Sequence, residues 1–226
     1  MKRYAVIVAG GSGSRMGGGM PKQFRDLSGR PVLWWSMKAF HDENPDTCLI
    51  LVLPGNYIPL WENLFSSLSE DDRFMHKIVE GGSTRTDSVK NGLTLVPAGN
   101  SLVAVHDGAR PLVSPGLISL AWETALYSGA AIPVVPVTDS LRKVKGEESQ
   151  YVDRSEYVAV QTPQVFDAAL LKDAYEKAGQ QVFSDDASVV EHNGHKVAMF
   201  PGNTDNIKIT NPKDMAIATV LMANNA

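Results

Sequence analysis

A glycine-rich segment near the amino terminus is the first feature of this chain that could do chemistry. Glycines let a backbone approach a ligand closely, and successive N–H groups can cradle phosphate oxygens. Two cations, Arg15 and Lys22, follow on the same stretch. Breaking a bond between the α- and β-phosphates of a nucleotide builds negative charge, which preplaced cations stabilise. The segment predicts a nucleotide-phosphate site whose backbone candidates are Ala9, Gly10, Gly11, Ser12 and Gly13.

Other glycine-rich motifs fit this segment less well. A Walker loop ends in Gly-Lys-Ser or Gly-Lys-Thr, and neither tripeptide is present. A dinucleotide fingerprint threaded through Gly11 and Gly13 meets Met16 where its third glycine belongs. A flexible turn remains an alternative for the segment, and surface ion pairing remains one for each cation.

Asp107 follows an apolar run, 102–106, that predicts a β-strand. Ligands gather at the carboxyl ends of strands in open α/β sheets, and an aspartate there can hold Mg²⁺ against triphosphate oxygens, directly or through water. Asp107 is therefore the main metal candidate, and Asp205 is a weaker second; a turn or helix cap is the alternative role for Asp107. His106 is expected to be structural, because Mg²⁺ prefers oxygen. Arg110 is well placed to meet an anionic substrate.

A second glycine pair, Gly81-Gly82, follows a short predicted strand. Close approach of this backbone to a flat base is plausible, and the hydroxyls of Ser83 and Ser88 could bind the polar edge of that base. Ser83 has a helix N-cap as its alternative role. The segment is therefore a candidate for binding the nucleotide base.

Apolar runs alternate with amphipathic stretches along the chain. The runs predict strands over 4–9, 49–53, 77–79, 102–106, 131–137 and 197–200. The amphipathic stretches predict helices over 32–40, 58–68, 83–95, 115–127, 168–178 and 212–222. Runs that are apolar throughout suit strands buried on both faces of a parallel sheet, and the alternation is typical of βαβ units. We expect an α/β fold with a three-layer, mostly parallel, Rossmann-like sheet in one domain, 1–226.

The segment 138–164 breaks this alternation. Residues 141–145 and 151–152 flank a turn-rich 146–149, which predicts a β-hairpin arm that projects from the sheet. A polar hairpin has little core of its own, so packing on a partner subunit is one use for it.

Composition is that of a globular protein. The 226 residues are 43% hydrophobic and 20% charged, with a formal net charge of −4, so nucleic acid is a poor candidate partner. The apolar runs are too short for a membrane helix. The single cysteine, Cys48, is expected to be buried in a strand, and one cysteine suits a reducing cytoplasm.

The ordered motifs resemble those of the sugar-phosphate nucleotidyltransferases, and within them the 2-C-methyl-D-erythritol 4-phosphate cytidylyltransferase family. The resemblance covers nearly the whole chain. It is carried by Ala9-Gly-Gly-Ser-Gly-Ser-Arg15-Met16 with Pro21-Lys-Gln-Phe24, Gly81-Gly-Ser-Thr-Arg-Thr-Asp-Ser-Val89, Val105-His-Asp-Gly-Ala-Arg-Pro111, Pro136-Val-Thr-Asp-Ser140, Gln161-Thr-Pro-Gln164, Ser184-Asp-Asp-Ala-Ser188 and Asp205-Asn-Ile-Lys-Ile-Thr210.

The resemblance implies an activity and roles for particular residues. It implies Mg²⁺-dependent transfer from CTP to methylerythritol 4-phosphate with release of pyrophosphate, in non-mevalonate isoprenoid biosynthesis, by a cytoplasmic homodimer paired through the arm. Arg15, Lys22, Arg154 and Lys208 would be catalytic. Gly108 would join the nucleotide-binding residues, and the acceptor would meet Arg110, Ser140, Arg154, Thr162, Ser184 and Lys208.

Three alternatives stay open at this point. The Val8-Ala-Gly-Gly11 form of the first motif also resembles ribitol-5-phosphate cytidylyltransferases, which would change the acceptor. A non-catalytic nucleotide-binding module would bind CTP without releasing pyrophosphate. A dehydrogenase would need an acidic residue at the end of the second strand, where Leu53-Pro54 stands instead.

Overall fold

The structure is a computed structural model that describes residues 1–10, 20–179 and 181–224. The strands are β1 (Lys2–Val8), β2 (Asp26–Leu27), β3 (Arg30–Pro31), β4 (Cys48–Leu53), β5 (His76–Glu80), β6 (Ser101–Asp107), β7 (Ala130–Pro136), β8 (Arg142–Lys145), β9 (Glu148–Tyr151), β10 (Val158–Val160), β11 (Gln164–Asp167) and β12 (Ala198–Pro201). The helices are α1 (Val32–Glu43), α2 (Ile58–Ser66), α3 (Arg85–Leu93), α4 (Pro115–Ser128), α5 (Ala168–Lys177), α6 (Asp186–His192) and α7 (Pro212–Asn224).

The central sheet is parallel where the predicted nucleotide motifs lie. β1 pairs in parallel with β4 and β6, and β4 pairs in parallel with β5. Beyond β6 the sheet becomes mixed: β11 pairs antiparallel with β6 and β7, β10 pairs antiparallel with β7, and β12 pairs in parallel with β7. The parallel strands end at the same edge, which brings the segments after β1, β4, β5 and β6 together.

Helices cover both faces of the sheet, which confirms the three-layer prediction. Alternate residues of one strand enter two different cores: Ala5 and Ile7 of β1 pack with α1, α2 and α4, whereas Tyr4 and Val6 pack with α3, α5 and α6. Because the central strands β1, β4 and β6 are largely apolar on both faces, they are buried on both, as the continuous apolar runs predicted. A small third core joins α7 to the β2–β3 turn and the start of α1.

The predicted strands and helices exist, with ends that differ by a few residues, and several short elements were missed. The missed elements are β2, β3, β10, β11 and α6. β10 and β11 lie in the segment that the sequence marked as irregular, where a cis Thr162-Pro163 peptide separates them. Strands this short carry too few residues to show a period.

One local prediction, at Cys48, and one alternative role, at Ser83, were wrong. Cys48 lies at the start of β4 but is exposed rather than buried. The N-cap of α3 is Thr84 rather than Ser83: the Thr84 hydroxyl accepts from Asp87 N, and Asp87 accepts from Thr84 N in return. Ser83 instead donates its hydroxyl to Asp87 Oδ2 at 3.0 Å.

The arm forms as predicted, with a tighter turn. β8 and β9 pair antiparallel from Arg142 opposite Tyr151 to Lys145 opposite Glu148, so the turn is Gly146-Glu147. Gly146 has φ of +61°, a conformation that favours glycine. All residues of both strands are exposed, so the arm has no core of its own.

None of the helices in the described part of the chain combines the length and the apolar character that crossing a membrane requires.

A chain of buried hydrogen bonds centred on His106 ties the end of β6 to the cis-proline segment. Asp107 N donates to Thr162 Oγ1 at 3.1 Å, and Thr162 Oγ1 lies 3.0 Å from His106 Nδ1. His106 Nε2 lies 3.3 Å from the carbonyl oxygen of Arg110, which can only accept. Nε2 therefore carries the proton, and Nδ1 accepts from the Thr162 hydroxyl. The histidine is structural, as expected, and its neutral form is the one that completes the chain.

We expect His106 to make the protein sensitive to acid. Burial lowers the pKa of His106 to about 4, from an ordinary value of 6.5. Between these two values the unfolded chain binds a proton that the folded chain does not, so the free energy of unfolding falls as pH falls from 6.5 to 4. The loss attributable to His106 is about 3 kcal/mol, measurable by urea unfolding at successive pH values.

The control is His106→Gln, which removes the titrating group. It is expected to be less stable than the parent at pH 7 and to lose less stability between pH 6.5 and 4. Part of the remaining loss of stability comes from half-buried His76, because burial lowers the pKa of this histidine too. An equal loss in parent and variant would show that His106 is not the group responsible.

Candidate active site

A cavity of about 290 Å³ lies where the parallel strands end. It is lined by Val8, Ala9, Gly10, Lys22, Gln23, Gly82, Ser83, Thr84, Arg85, Ser88, Asp107, Ala109 and Lys208. The structure thus brings together residues from four separated motifs of the sequence. Gly11, Ser12, Gly13 and Arg15 lie outside the described residues, so their predicted roles stay predictions.

The first wall of this cavity is the chain that leaves β1. Ala9 N donates to Val52 O at 3.0 Å, which continues the parallel pairing with β4 by one residue. Gln23, whose side chain is buried, donates Nε2 to Ala9 O at 2.9 Å. Lys22 lies on a short 3₁₀ turn anchored by buried Phe24, and its Nζ donates to Ile209 O at 2.6 Å. The predicted catalytic lysine is therefore held at the cavity by two contacts to backbone carbonyls. Its own Nζ bonds to Ile209 O, and the neighbouring Gln23 side chain bonds to Ala9 O.

The second wall is the glycine pair after β5. Gly81 N donates to Leu53 O at 2.7 Å, and a Cβ on Gly81 would lie 3.0 Å from Ser88 Oγ. A Cβ on Gly82 would lie 2.2 Å from Asp87 Cβ, a distance that no other residue type tolerates. Ser88 Oγ donates to Thr84 O at 2.9 Å and accepts from Gly82 N at 3.2 Å. The glycines are therefore required by the packing of α3 against β5, and of the two only Gly82 lines the cavity.

Asp107 is the anionic centre of the cavity. Its Oδ2 lies 2.8 Å from Lys208 Nζ and 3.6 Å from Arg110 Nε, and its Oδ1 lies 3.9 Å from Arg85 Nε. Burial alone would raise the pKa of this carboxyl, but the attraction of Lys208 and Arg85 outweighs it and lowers the pKa to about 2. Asp107 is therefore ionised at any physiological pH, as a metal-binding carboxylate must be.

The segment that carries Lys208 is fixed beside Asp107 by the backbone. Ile209 N donates to Ala109 O at 2.8 Å, and the Ile209 side chain is fully buried. Gly108 lies between these contacts: a Cβ there would lie 2.8 Å from Leu33 Cδ1 and 3.0 Å from Ala9 Cβ. Gly108 thus allows the turn after β6 to pack directly on α1 and on the first wall.

Two predicted acceptor-binding residues are engaged inside the protein. The Thr162 hydroxyl holds Asp107 N and His106, as described above, and Thr162 is 5% exposed. Arg110 donates Nη1 to Asn206 O at 2.7 Å, and its side chain is 12% exposed. Both side chains support the position of Asp107. Neither is among the described residues that line the cavity.

The remaining predicted residues lie away from this cavity. Arg154 lines a second, largely apolar cavity of about 810 Å³ with Tyr157, Val158 and Met199, and its Nη1 donates to Thr138 O. Ser140 lies with Arg154 in a smaller depression at the base of the arm. Ser184 precedes the N-cap of α6 and is exposed. Asp205 is half-buried and is absent from the described residues that line the Asp107 cavity.

Arg85 is a cavity residue to which the sequence assigned no role. Its guanidinium lies between Asp107 and the fully buried Asp186, to which Nη2 donates at 2.6 Å. Asp186 is 101 residues away in the chain. No local spacing could have revealed this pair, because it exists only once α3 and α6 pack on the same face of the sheet.

The chain matches a known family over almost its whole length. Residues 4–224 match the family model described as IspD, 2-C-methyl-D-erythritol 4-phosphate cytidylyltransferase. A protein of that name from Phocaeicola vulgatus is 46% identical over 222 residues, which cover 98% of this chain and 100% of that protein.

Solved structures agree with the family match. The crystal structure of 2-C-methyl-D-erythritol 4-phosphate cytidylyltransferase from Thermus thermophilus is similar with a TM-score of 0.79 at 35% identity, covering 98% of both chains. That of 4-diphosphocytidyl-2C-methyl-D-erythritol synthase from Anaerococcus prevotii has a TM-score of 0.83 at 25% identity, also covering 98% of both. Taken with the cavity that gathers the ordered motifs, these matches show that the chain belongs to the 2-C-methyl-D-erythritol 4-phosphate cytidylyltransferase family.

Proposed function

We propose that this protein transfers the cytidylyl group of CTP to 2-C-methyl-D-erythritol 4-phosphate and releases pyrophosphate, a step of non-mevalonate isoprenoid biosynthesis. The observation that carries the proposal is the cavity in which Lys22 and Lys208 meet Asp107 beside Gly10 and Gly82. Cations suit a triphosphate, and the membership of the family supplies the acceptor.

The reaction is a displacement at the α-phosphorus of CTP. A phosphate oxygen of the acceptor forms a bond to that phosphorus, and the bond from the phosphorus to the oxygen bridging to the β-phosphate breaks. The electron pair leaves with pyrophosphate. A phosphate monoester is largely ionised at neutral pH, so the nucleophile needs no general base. Catalysis then consists of positioning and charge stabilisation.

Lys22 and Arg15 are the proposed stabilisers of the charge that develops on the α-phosphate and the leaving pyrophosphate. Lys22 Nζ lies at the backbone of Ile209, next to Lys208, so two ammonium groups approach the cavity from adjacent segments. Preorganised cations act most strongly where charge appears only in the transition state. Lys208 is proposed to bind the acceptor phosphate as well as to neutralise Asp107.

The residues fit a magnesium ion held mainly by the nucleotide. Asp107 offers an ionised carboxylate, and its Oδ1 makes only the long 3.9 Å ion pair with Arg85 among the described residues. The described residues contain no group of three or more His, Cys, Asp or Glu side chains that could cage a metal. Mg²⁺ commonly binds through one or two carboxylates, substrate phosphates and water. When bound, it would neutralise triphosphate charge, with Asp107 as its proposed ligand and Asp205 as a weaker candidate.

The arm is proposed to pair two copies of the chain. Val144 and Tyr151 on the arm are 68% and 66% exposed, and the neighbouring strand β10 is exposed throughout. Arg154 lies at the base of this surface, in a cavity separate from that of Lys22. A second copy that packs on the arm would bring its Arg154, with Ser140, to the acceptor side of the neighbouring active site. Ser184 and Thr162 are proposed to contribute there through the shape of the site.

A cytoplasmic location is part of the proposal. The single cysteine of the chain cannot form an internal disulfide, which suits a reducing compartment.

Pyrophosphate release tests the proposed reaction. With CTP and Mg²⁺, we expect release with 2-C-methyl-D-erythritol 4-phosphate and background release with ribitol 5-phosphate or no acceptor. EDTA should abolish the signal, since the triphosphate loses its counter-ion. Pyrophosphate release with ribitol 5-phosphate alone would identify ribitol 5-phosphate as the acceptor. CTP binding without pyrophosphate release would show a non-catalytic binding module.

Replacing Lys22 should remove turnover and leave the fold intact. For Lys22→Ala we expect kcat to fall about 10²- to 10³-fold, because charge stabilisation in the transition state is lost. The matched control is Lys38→Ala on α1, whose Nζ pairs with Asp42 on the protein surface. Steady-state kinetics and circular dichroism make the comparison, and a near-normal kcat for Lys22→Ala would remove Lys22 from the mechanism.

Mixing two impaired variants, assayed at an acceptor concentration low enough that Arg154→Ala is almost inactive, tests the shared site. Arg154→Ala should chiefly raise the acceptor KM. If Arg154 serves the neighbouring subunit, a mixed dimer of Lys22→Ala and Arg154→Ala carries one intact site. Random exchange of equal amounts should then restore about a quarter of the parent activity.

The matched control mixes the parent with the double variant. Mixed dimers then carry no intact site if Arg154 acts across the interface, so activity falls below simple dilution. Absence of recovery in the first mixture, with simple dilution in the second, would place Arg154 at the site of its own chain.

A further inference from the structure

We propose that Asp186 and Tyr175 are positioning residues for this reaction: they hold Arg85 at the cavity so that its remaining guanidinium donors bind an anionic oxygen of CTP. The inference rests on the proposed function and extends it to residues outside the cavity. Neither Asp186 nor Tyr175 lines the cavity, so both act through Arg85.

Asp186 is built to hold one arginine in one orientation. Its side chain is fully buried, with Arg85 Nη2 at 2.6 Å from Oδ2 and Tyr175 Oη at 2.5 Å from Oδ1. Its backbone is fixed too, because Asp186 N donates to Gln164 Oε1 at 3.1 Å. Each carboxylate oxygen thus has one strong donor, and Tyr175 holds the carboxylate from the side opposite Arg85.

The rest of the guanidinium is left for a ligand. Among residues 1–10, 20–179 and 181–224, no hydrogen-bond acceptor meets Nη1 or Nε of Arg85, and Nε lies 3.9 Å from Asp107 Oδ1. The Arg85 side chain is 28% exposed and lines the cavity beside Gly82, Ser88 and Lys208. An arginine presents five donors in a rigid fork, so fixing Nη2 also fixes the direction of the others.

Stability alone gives a poor account of this pair. Burying a carboxylate and a guanidinium costs solvation that their mutual attraction often fails to repay, and apolar residues of similar volume do as well or better. A guanidinium stays charged with or without this partner, so what Asp186 contributes is the fixed position of Arg85 at the cavity. A fixed cation is useful where a triphosphate binds.

The test compares Asp186→Asn with a matched variant, Glu43→Gln. Glu43 lies next to the amino end of β1, whereas the cavity lies at the carboxyl end. Glu43 is also a buried carboxylate with one arginine donor and one hydroxyl donor: Arg3 Nη1 lies 2.9 Å and Ser119 Oγ 3.0 Å from Glu43 Oε1. Arg3 is at the amino end of β1, away from the cavity. Glu43→Gln therefore makes the same chemical change without touching the site.

We expect Asp186→Asn to lower kcat/KM for CTP about 10- to 100-fold, the same range as when a residue that orients a metal ligand is removed. Tyr175→Phe should move in the same direction by less. Glu43→Gln should keep its kcat/KM, because its amide can take the place of Oε2 while Oε1 still accepts from Arg3 and Ser119. Equal kcat/KM in Asp186→Asn and Glu43→Gln would overturn the proposal.

A double-mutant cycle separates positioning from a structural role. If Asp186 acts through Arg85, then Arg85→Gln with Asp186→Asn is no slower than Arg85→Gln alone. If the two losses multiply, Asp186 acts independently of Arg85 and the proposal fails.

CTP binding separates this inference from the proposed function. Calorimetry with CTP and Mg²⁺ should show weaker binding to Asp186→Asn than to Glu43→Gln. If the parent protein binds CTP but releases no pyrophosphate, the proposed function fails and the binding comparison still decides the role of Asp186. If binding to the two variants is equal, the inference fails even when the parent is fully active.

Discussion

Asp107 carries its negative charge at the end of β6, where the chain leaves it only 9% exposed. An ionised carboxylate in such a place requires nearby positive charge, and three cations from three separate segments supply it: Lys208, Arg110 and Arg85. The position of each cation is in turn fixed by other contacts, through Ile209, Asn206 and Asp186. Much of the architecture around the cavity can therefore be traced to the neutralisation of one carboxylate.

The same arrangement explains how the site can serve an anionic substrate without losing its shape. Cations that are already held by buried partners need little reorganisation when a triphosphate arrives, and this preorganisation is a main source of catalytic stabilisation. His106 and Thr162 contribute by fixing the Asp107 backbone, which keeps the carboxylate at the cavity. The buried neutral histidine is thus a support for the charged groups around it.

The two halves of the central sheet carry different parts of the proposed site. The parallel half, β6-β1-β4-β5, gathers the glycine segments and the cations at one edge, whereas the antiparallel additions around β7 carry the arm and Arg154. An arm whose residues are all exposed is stable only with support from elsewhere. Pairing with a second copy would supply that support and would place Arg154 and Ser140, the proposed acceptor-binding groups, at the junction of two chains.

The sequence by itself determined the family, the α/β class and the main strands and helices, because continuous apolar runs and glycine-rich turns are local patterns that a single chain displays. It also identified Lys22, Gly82, Ser88, Asp107 and Lys208, which the structure brings into one cavity. It failed for exposed Cys48, for the N-cap at Thr84 and for short β10 and β11, where solvent exposure and strand pairing depend on distant residues. Only the tertiary structure decided that Arg85 pairs with Asp186 and that Thr162 turns inward to His106, because such contacts join segments that sequence spacing does not relate.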